Sequence, residues 1–347
     1  MSVKIWKPKY EILVGDSRDV LKTLPDNHFH CCVTSPPYFN LRNYQGEEKQ
    51  VGRESTPEEF VDSIVEIFRE VKRVLRDDGV AWINIGDTYS PDKSLYGIPW
   101  RMAFALQADG WYLRQDIIWA KPNPTPESIK DRCTKAHEYI FMLTKSPKYH
   151  FDWFAIREDG VLPAGTKAGR GSVERKSQEG VNALPPKYFH YTGKRQKRDV
   201  WNVTVNSGIG IKVHEIDGER IGHYATYPPD LIDPCVKAST SPRDEGCCSK
   251  CGMPARRIVK KPETEDGERT GAATETVRFE MDCDCYANRV PCRVLDPFSG
   301  AGTSGIVAMR NGCDYTGVEL SPKYAKLSRI RLDEEMKNTK STRLGGI

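Results

Sequence analysis

The sequence predicts an α/β fold in which a mostly parallel central sheet carries helices on both faces, and three observations predict it. Short apolar runs that read as strands alternate with stretches of helical spacing towards both ends of the chain. Two of those runs, Cys31-Cys32-Val33 and Val294-Leu295, lead straight into loops of unusual composition, Thr34-Ser35-Pro36-Pro37-Tyr38 and Asp296-Pro297-Phe298-Ser299-Gly300-Ala301-Gly302-Thr303. The carboxyl ends of strands are where open α/β sheets bind their ligands. Two segments without periodicity, one basic and one rich in cysteine, interrupt the alternation.

Taken in order, residues 12–14 read as a strand closed by Gly15-Asp16, and Ser17 is placed to cap a short helix presenting Val20, Leu21 and Leu24. Residues 31–33 are the next strand. Thr56 and Glu59 have capping-box spacing, with Pro57 at the first helical position. The helix they start carries Phe60, Ile64, Ile67, Phe68, Val71, Val74 and Leu75 on one face, and Gly79 lies beyond it. Residues 80–85 form a strand, 99–106 a helix stopped near Gly110, and 115–119 and 139–144 two more strands. After the interruptions come strand 294–295, helix 303–310, strand 315–318 and a helix capped at Ser321-Pro322.

At 347 residues, with 38% hydrophobic and 29% charged residues, the chain has the make-up of a globular protein with a sizeable core. It opens without an apolar signal region and has no stretch of membrane-spanning length, so no membrane association and a cytoplasmic location are expected. Net charge is only +4, but residues 155–212 hold eleven Lys or Arg against five Asp or Glu. The basic character is therefore local, which suggests a nucleic-acid contact.

The two loops carry the chemistry. Gly300 and Gly302 suit positive φ and leave room for a ligand against the main chain, while Thr303 opens a helix whose amides favour an anionic group. Glu319, at the end of the following strand, is placed to take both hydroxyls of a ribose. In the other loop, two prolines stiffen the turn and remove two N–H donors. The Ser35 hydroxyl and the Pro36 carbonyl are then available to accept hydrogen bonds from an aromatic amine. That would free its delocalised lone pair to attack a methylsulfonium. Tyr38 is placed to stack on the ring. Methyl transfer to carbon 5 of a cytosine would need a cysteine nucleophile in this loop, and Pro234-Cys235 and Pro291-Cys292 lie elsewhere.

On these residues the chain resembles the amino-group DNA methyltransferases in their permuted, β-class order, with the catalytic loop first and the S-adenosylmethionine loop last. The resemblance implies a Rossmann-like methyltransferase fold. It places Ser35, Pro36, Pro37 and Tyr38 at the catalytic motif and Asp16 near the cofactor's adenine. Asp296, Phe298, Ser299, Gly300, Gly302 and Thr303 fall in the cofactor loop and Glu319 on the ribose. His223, Ala225 and Tyr227 resemble the family's His-Pro-Ala-x-Phe-Pro segment at the methionine end, with Tyr224 and Tyr227 replacing Pro and Phe. Ser-Pro-Pro-Tyr goes mostly with N4-cytosine, which makes N4 the expected target and N6 of adenine the alternative. Methylation of RNA or a protein amide, or DNA binding without catalysis, are more distant readings.

A base inside duplex DNA reaches such a loop only if it is flipped out, so another part of the chain must hold the duplex. The basic segment is the candidate: Lys194, Arg195, Lys197 and Arg198 for phosphates, Arg170, Arg175, Gln178 or Asn182 for base edges. In the second interruption, Cys248-x-x-Cys251 and Cys283-x-Cys285 bracket about 30 residues, like a zinc ribbon of four thiolates. Cys247 and Cys292 are possible substitutes among these ligands. Such a zinc would be structural. Cys31, Cys32, Cys133 and Cys313 read as core or incidental. The expected organisation is a catalytic half at 1–154, a basic target-recognition region at 155–212, and a return to the main domain at 213–245. The cysteine-rich insertion at 246–292, the cofactor-binding half at 293–335 and a flexible tail at 336–347 follow. Double-stranded DNA is the expected partner, a cognate restriction endonuclease a possible one.

Overall fold

The computed structural model describes residues 6–41, 50–160, 167–169, 174–177, 180–183, 188–190, 193–205, 214–216, 218–221, 227–260 and 275–344. Eight strands make the main sheet: β1 (Tyr10–Val14), β2 (Phe29–Thr34), β3 (Leu75–Ile85), β4 (Tyr112–Ala120), β5 (His137–Thr144), β6 (Val200–Asn202), β7 (Arg293–Asp296) and β8 (Asp314–Glu319). Their spatial order is β1-β8-β7-β2-β3-β5-β4-β6. From β1 to β3 every pairing is parallel; β5 runs antiparallel to both β3 and β4, and β6 is parallel to β4.

Strand alternation builds two core layers. Cys31, Val33, Val80 and Trp82 face one layer with Leu231, Ile232, Ile306 and Leu332, while Cys32, Ala81 and Ile83 face the other with Phe60, Ile64 and Phe68. The first layer packs under helices α4 (Pro229–Ser239), α5 (Thr303–Arg310) and α6 (Pro322–Leu344); the second under α2 (Pro57–Val74) and α3 (Ile98–Ala108). On α2 the residues Phe60, Ile64, Ile67, Phe68, Val71 and Val74 are all fully buried. At about 1.5–3 kcal/mol for each large side chain, that one face contributes on the order of 10 kcal/mol before entropy is counted. The capping box is present at its start: Glu59 N–H donates to Thr56 Oγ1, and Thr56 N–H donates to Glu59 Oε2.

Several elements differ from the sequence reading. The short helix α1 (Ser17–Val20) is capped by Asp16, which accepts from the Arg18 N–H; the Ser17 hydroxyl instead donates to the Pro297 carbonyl. Helix α4 is masked in the sequence by Pro228, Pro229 and Pro234. The first two sit at its amino end, where no intrahelical donor is needed, and Pro234 is accommodated inside it. Strand β6 lies within the segment 155–212, so the basic segment rejoins the sheet at Val200 rather than after it. Burial of Trp201, whose Nε1 donates to the Arg198 carbonyl, fixes that edge. At the carboxyl end α6 continues to Leu344, past residue 336 where the sequence predicts a tail. Among the described residues no helix is long and apolar enough to cross a membrane.

Candidate active site

Neighbouring parallel strands place their carboxyl ends side by side, about 4.8 Å apart. The order β8-β7-β2 therefore brings Glu319, the glycine loop and the Ser-Pro-Pro-Tyr loop to one edge although some 260 residues separate the two loops in sequence. They enclose a single cavity of about 350 Å³, lined by Ser35, Pro36, Pro37 and Tyr38 on one side and by residues 296–301, Thr303 and Glu319 on the other. Asp16 and Tyr227 also line it. Tyr38 and Phe298 thus face a common space.

Asp296 organises the floor. Its carboxylate is almost fully buried and accepts from Thr34 Oγ1 (2.6 Å), the Phe298 N–H (2.9 Å) and Ser304 Oγ. Since Ser304 gives its proton to Asp296, the Tyr227 hydroxyl must donate to Ser304 Oγ (2.5 Å), which ties α4's entry to α5. Burial raises the Asp296 carboxyl to about 6. Glu319 accepts from the Gly300 N–H (2.8 Å) and the Ser321 N–H (2.9 Å), and burial lifts it to about 7. Gly302 caps α5 at φ +75°; a Cβ there would lie 2.3 Å from Ser328 Oγ, so no larger residue fits.

Two of the expected cofactor residues are engaged by the scaffold. Asp16 caps α1 and pairs with Arg18 at 2.6 Å, and the Ser299 hydroxyl meets the Tyr315 hydroxyl at 2.9 Å. Both still border the cavity, Ser299 with its hydroxyl held by that partner. His223 and Ala225 lie outside the described residues.

Around Tyr38 is a polar cluster that the sequence did not disclose. The Tyr38 hydroxyl donates to Glu138 Oε2 (2.5 Å), the same oxygen accepts from Asn84 Nδ2 (3.2 Å), and Lys121 Nζ binds Oε1. Asn84 comes from the carboxyl end of β3, Lys121 follows β4, and Glu138 starts β5. Because β5 is antiparallel, its beginning lies at the same edge as the others' ends. Gly86 permits the ring's position, since a Cβ there would stand 2.7 Å from Tyr38 Cε2. A polar residue near the end of an otherwise apolar strand, as at Asn84 and Glu138, was the available signal.

A family model described as DNA methylase, of the N6 and N4 amino-methyltransferase type, matches residues 29–245. The chain belongs to this DNA methylase family. Among its relatives are the type II methyltransferases M.Cfr9I of Citrobacter freundii, 37% identical over 93% of this chain and 88% of that protein, and M.SmaI of Serratia marcescens, 33% identical over 93% and 90%. Among solved structures, the PvuII DNA methyltransferase (cytosine-N4-specific) has the same fold, with a TM-score of 0.58 and 16% identity over 98% of this chain and 96% of that one. A complex of the Thermus thermophilus protein TTHA0409 with S-adenosyl-L-methionine aligns at a TM-score of 0.50 and 21% identity, covering 94% and 96%.

The methylase's basic segment is less open than its composition suggests. Arg195 and Arg198 both pair with Glu158 (2.8 and 2.7 Å), Lys194 pairs with Asp159, and Lys197 lies 4.9 Å from the Trp201 ring centre. A hairpin of Glu158–Asp159 against Lys194–Arg195 brings these charges together. Such surface pairs are worth only about 0–1 kcal/mol, so a phosphate can compete with the carboxylates, but it has to displace them. Arg175 lies in strand Glu174–Ser177 opposite Asn182, and Arg170 and Gln178 fall outside the described residues. The sulfurs of Cys248, Cys251, Cys283 and Cys285 lie within 4.8 Å of one another.

The raised Glu319 carboxyl gives the methylase a testable pH dependence. If the carboxylate form binds a ribose, cofactor affinity should fall as pH drops from 8 to 6, through the region where Glu319 takes up a proton. Calorimetric titration of S-adenosylmethionine checks this; in Glu319→Gln the dependence should flatten, at an affinity lower by about tenfold.

Proposed function

We propose that this methylase transfers a methyl group from S-adenosylmethionine to the exocyclic N4 amine of cytosine in duplex DNA, with the target base flipped into the cavity. The observation that carries the reading is the shared cavity of Ser35, Tyr38 and Phe298. Ser35 is half-buried on that cavity, and among the described residues its hydroxyl has no hydrogen-bond partner, so both its lone pairs can receive an amine. The cofactor supplies an electrophilic methyl group. Glu319 and the glycine loop would hold its nucleoside, and the amides opening α5 would favour its carboxylate.

On the acceptor side, Ser35 Oγ and the Pro36 carbonyl each take a hydrogen bond from the amine, and Tyr38 stacks on the ring with its hydroxyl held by Glu138. Attack of the nitrogen forms the N–CH₃ bond as the sulfur–methyl bond breaks; the displaced amine proton leaves through one of the two acceptors to water. Cytosine is favoured over adenine by the serine at position 35 and by the cytosine-N4 specificity of the PvuII enzyme of like fold. The basic segment 155–212, Arg170 and Arg175 included, is the part of the chain we assign to target recognition, with Lys194, Arg195, Lys197 and Arg198 on phosphates. The type II relatives make a cognate restriction endonuclease in the same cytoplasm the fitting partner.

The test is nucleoside mass spectrometry of plasmid DNA from cells expressing the methylase, joined to sequencing that maps the modified position. N4-methylcytosine in one short motif is the expected product. N6-methyladenine would transfer the reading to the alternative target, and no modified base would overturn it.

A further inference from the structure

We propose that Cys248, Cys251, Cys283 and Cys285 bind one zinc ion, and that this ion holds the cysteine-rich insertion against the end of the main sheet remote from the active site. Tetrahedral zinc–thiolate bonds of about 2.3 Å require sulfurs about 3.8 Å apart. The four sulfurs, all within 4.8 Å of one another, need move by no more than about an ångström to meet that geometry. The backbone is already a knuckle: the Gly252 N–H donates to the Cys248 carbonyl (2.9 Å), Gly252 adopts φ +72°, and the Cys248 N–H donates to the Met253 carbonyl (2.9 Å).

The outer part of the insertion has no apolar core of its own, although Arg257 on its longer hairpin pairs with the buried Asp152 (2.8 Å). From Glu275 to Val290 no described residue is buried, and its longer hairpin, Ala255–Lys260 with Glu275–Met281, buries only Ala255. A unit without a core of its own needs a metal or cross-links to keep one shape. The knuckle is also where the insertion grips the catalytic scaffold. Arg76 Nη1, on β3, donates to the Cys251 carbonyl, and His30 Nε2, on β2, donates to the Gly252 carbonyl (2.7 Å). Both residues sit near the starting ends of their strands, whereas Ser35 follows the far end of β2. With all four positions supplied by thiolates and no vacant place for water, the ion is structural.

A second group, His30, Cys247 and Cys292, is equally close-packed but does not fit a metal. His30 Nδ1 accepts the Arg293 N–H (3.0 Å) while Nε2–H donates to Gly252, so the ring has no lone pair left to give. Cys247 and Cys292 group with this ring and not with the other four sulfurs, which separates them from the ligand set.

The test is metal analysis of the purified full-length protein by plasma mass spectrometry. About one zinc per chain is expected, lost in Cys251→Ser and Cys285→Ser and kept in Cys247→Ser. Absence of zinc, zinc that survives both ligand substitutions, or an intact mass about 4 Da low from two disulfides overturns the proposal. If the ligand variants do not fold, the native protein carrying Cys133→Ser is titrated with an organomercurial. Release of the zinc in step with reaction of four thiols supports the site, and zinc retained after those thiols react overturns it.

Discussion

Ser35→Ala is expected to lower the single-turnover rate of methyl transfer by about 10²–10³-fold, the usual cost of losing one well-placed hydrogen-bond partner of a reacting group. Cofactor affinity and melting temperature should stay close to those of the parent protein. The reason lies in the environment of the hydroxyl: Ser35 borders the cavity, and among the described residues nothing in the protein depends on its oxygen. Removing it strands no buried donor, so the loss falls on the transition state. Rates with labelled S-adenosylmethionine at saturating DNA measure the effect. A rate within about threefold of the parent would remove this oxygen from the chemistry.

Asp296→Ala should act in the opposite way, through the fold. Three donors converge on that buried carboxylate: Thr34 Oγ1, the Phe298 N–H and Ser304 Oγ. Each loses its acceptor at about 1–3 kcal/mol, and a total of about 3–5 kcal/mol is expected once the site relaxes. Denaturant unfolding should show a lower midpoint at an unchanged slope, together with loss of cofactor binding, because the carboxylate fixes both loops. The pH dependence has a definite sign. Burial raises this carboxyl from 3.8 to about 6, so its contribution to stability is complete below about 4 and is lost as pH rises through about 6. The advantage of the native residue over Asp296→Asn should therefore be largest near pH 4 and shrink across that window. A gap that widens with pH would show that the carboxylate, rather than the acid, is the form the fold prefers.

Local signals are legible where a residue's role depends on its immediate neighbours in sequence. Thr56, Pro57 and Glu59 announce the start of α2 because a capping box closes within one turn, and the apolar residues of β2, β3 and α2 announce their faces by period. Asp16 does not stand out as the cap of α1 because Ser17 beside it is equally able to cap; only the backbone angles at Asp16 distinguish them. Helix α4 is not legible because three prolines argue against a helix until two are seen at its amino end. The ion pairs of Lys194, Arg195 and Arg198 are invisible in sequence because Glu158 and Asp159 lie more than 30 residues away and meet them only across a hairpin.

The chemistry on offer is written residue by residue: a proline-stiffened loop with a hydroxyl and an aromatic ring, a glycine turn opening a helix, an acid at a strand end, and four cysteines in two close pairs. These are properties of side chains and of φ, and they need no knowledge of the rest of the chain. Strand order, in contrast, emerges only on folding. It sets β7 between β2 and β8, which joins the two loops, and it reverses β5, which delivers Glu138 to Tyr38. Such pairings arise from burying both faces of one sheet, a property of the whole chain that no short window contains.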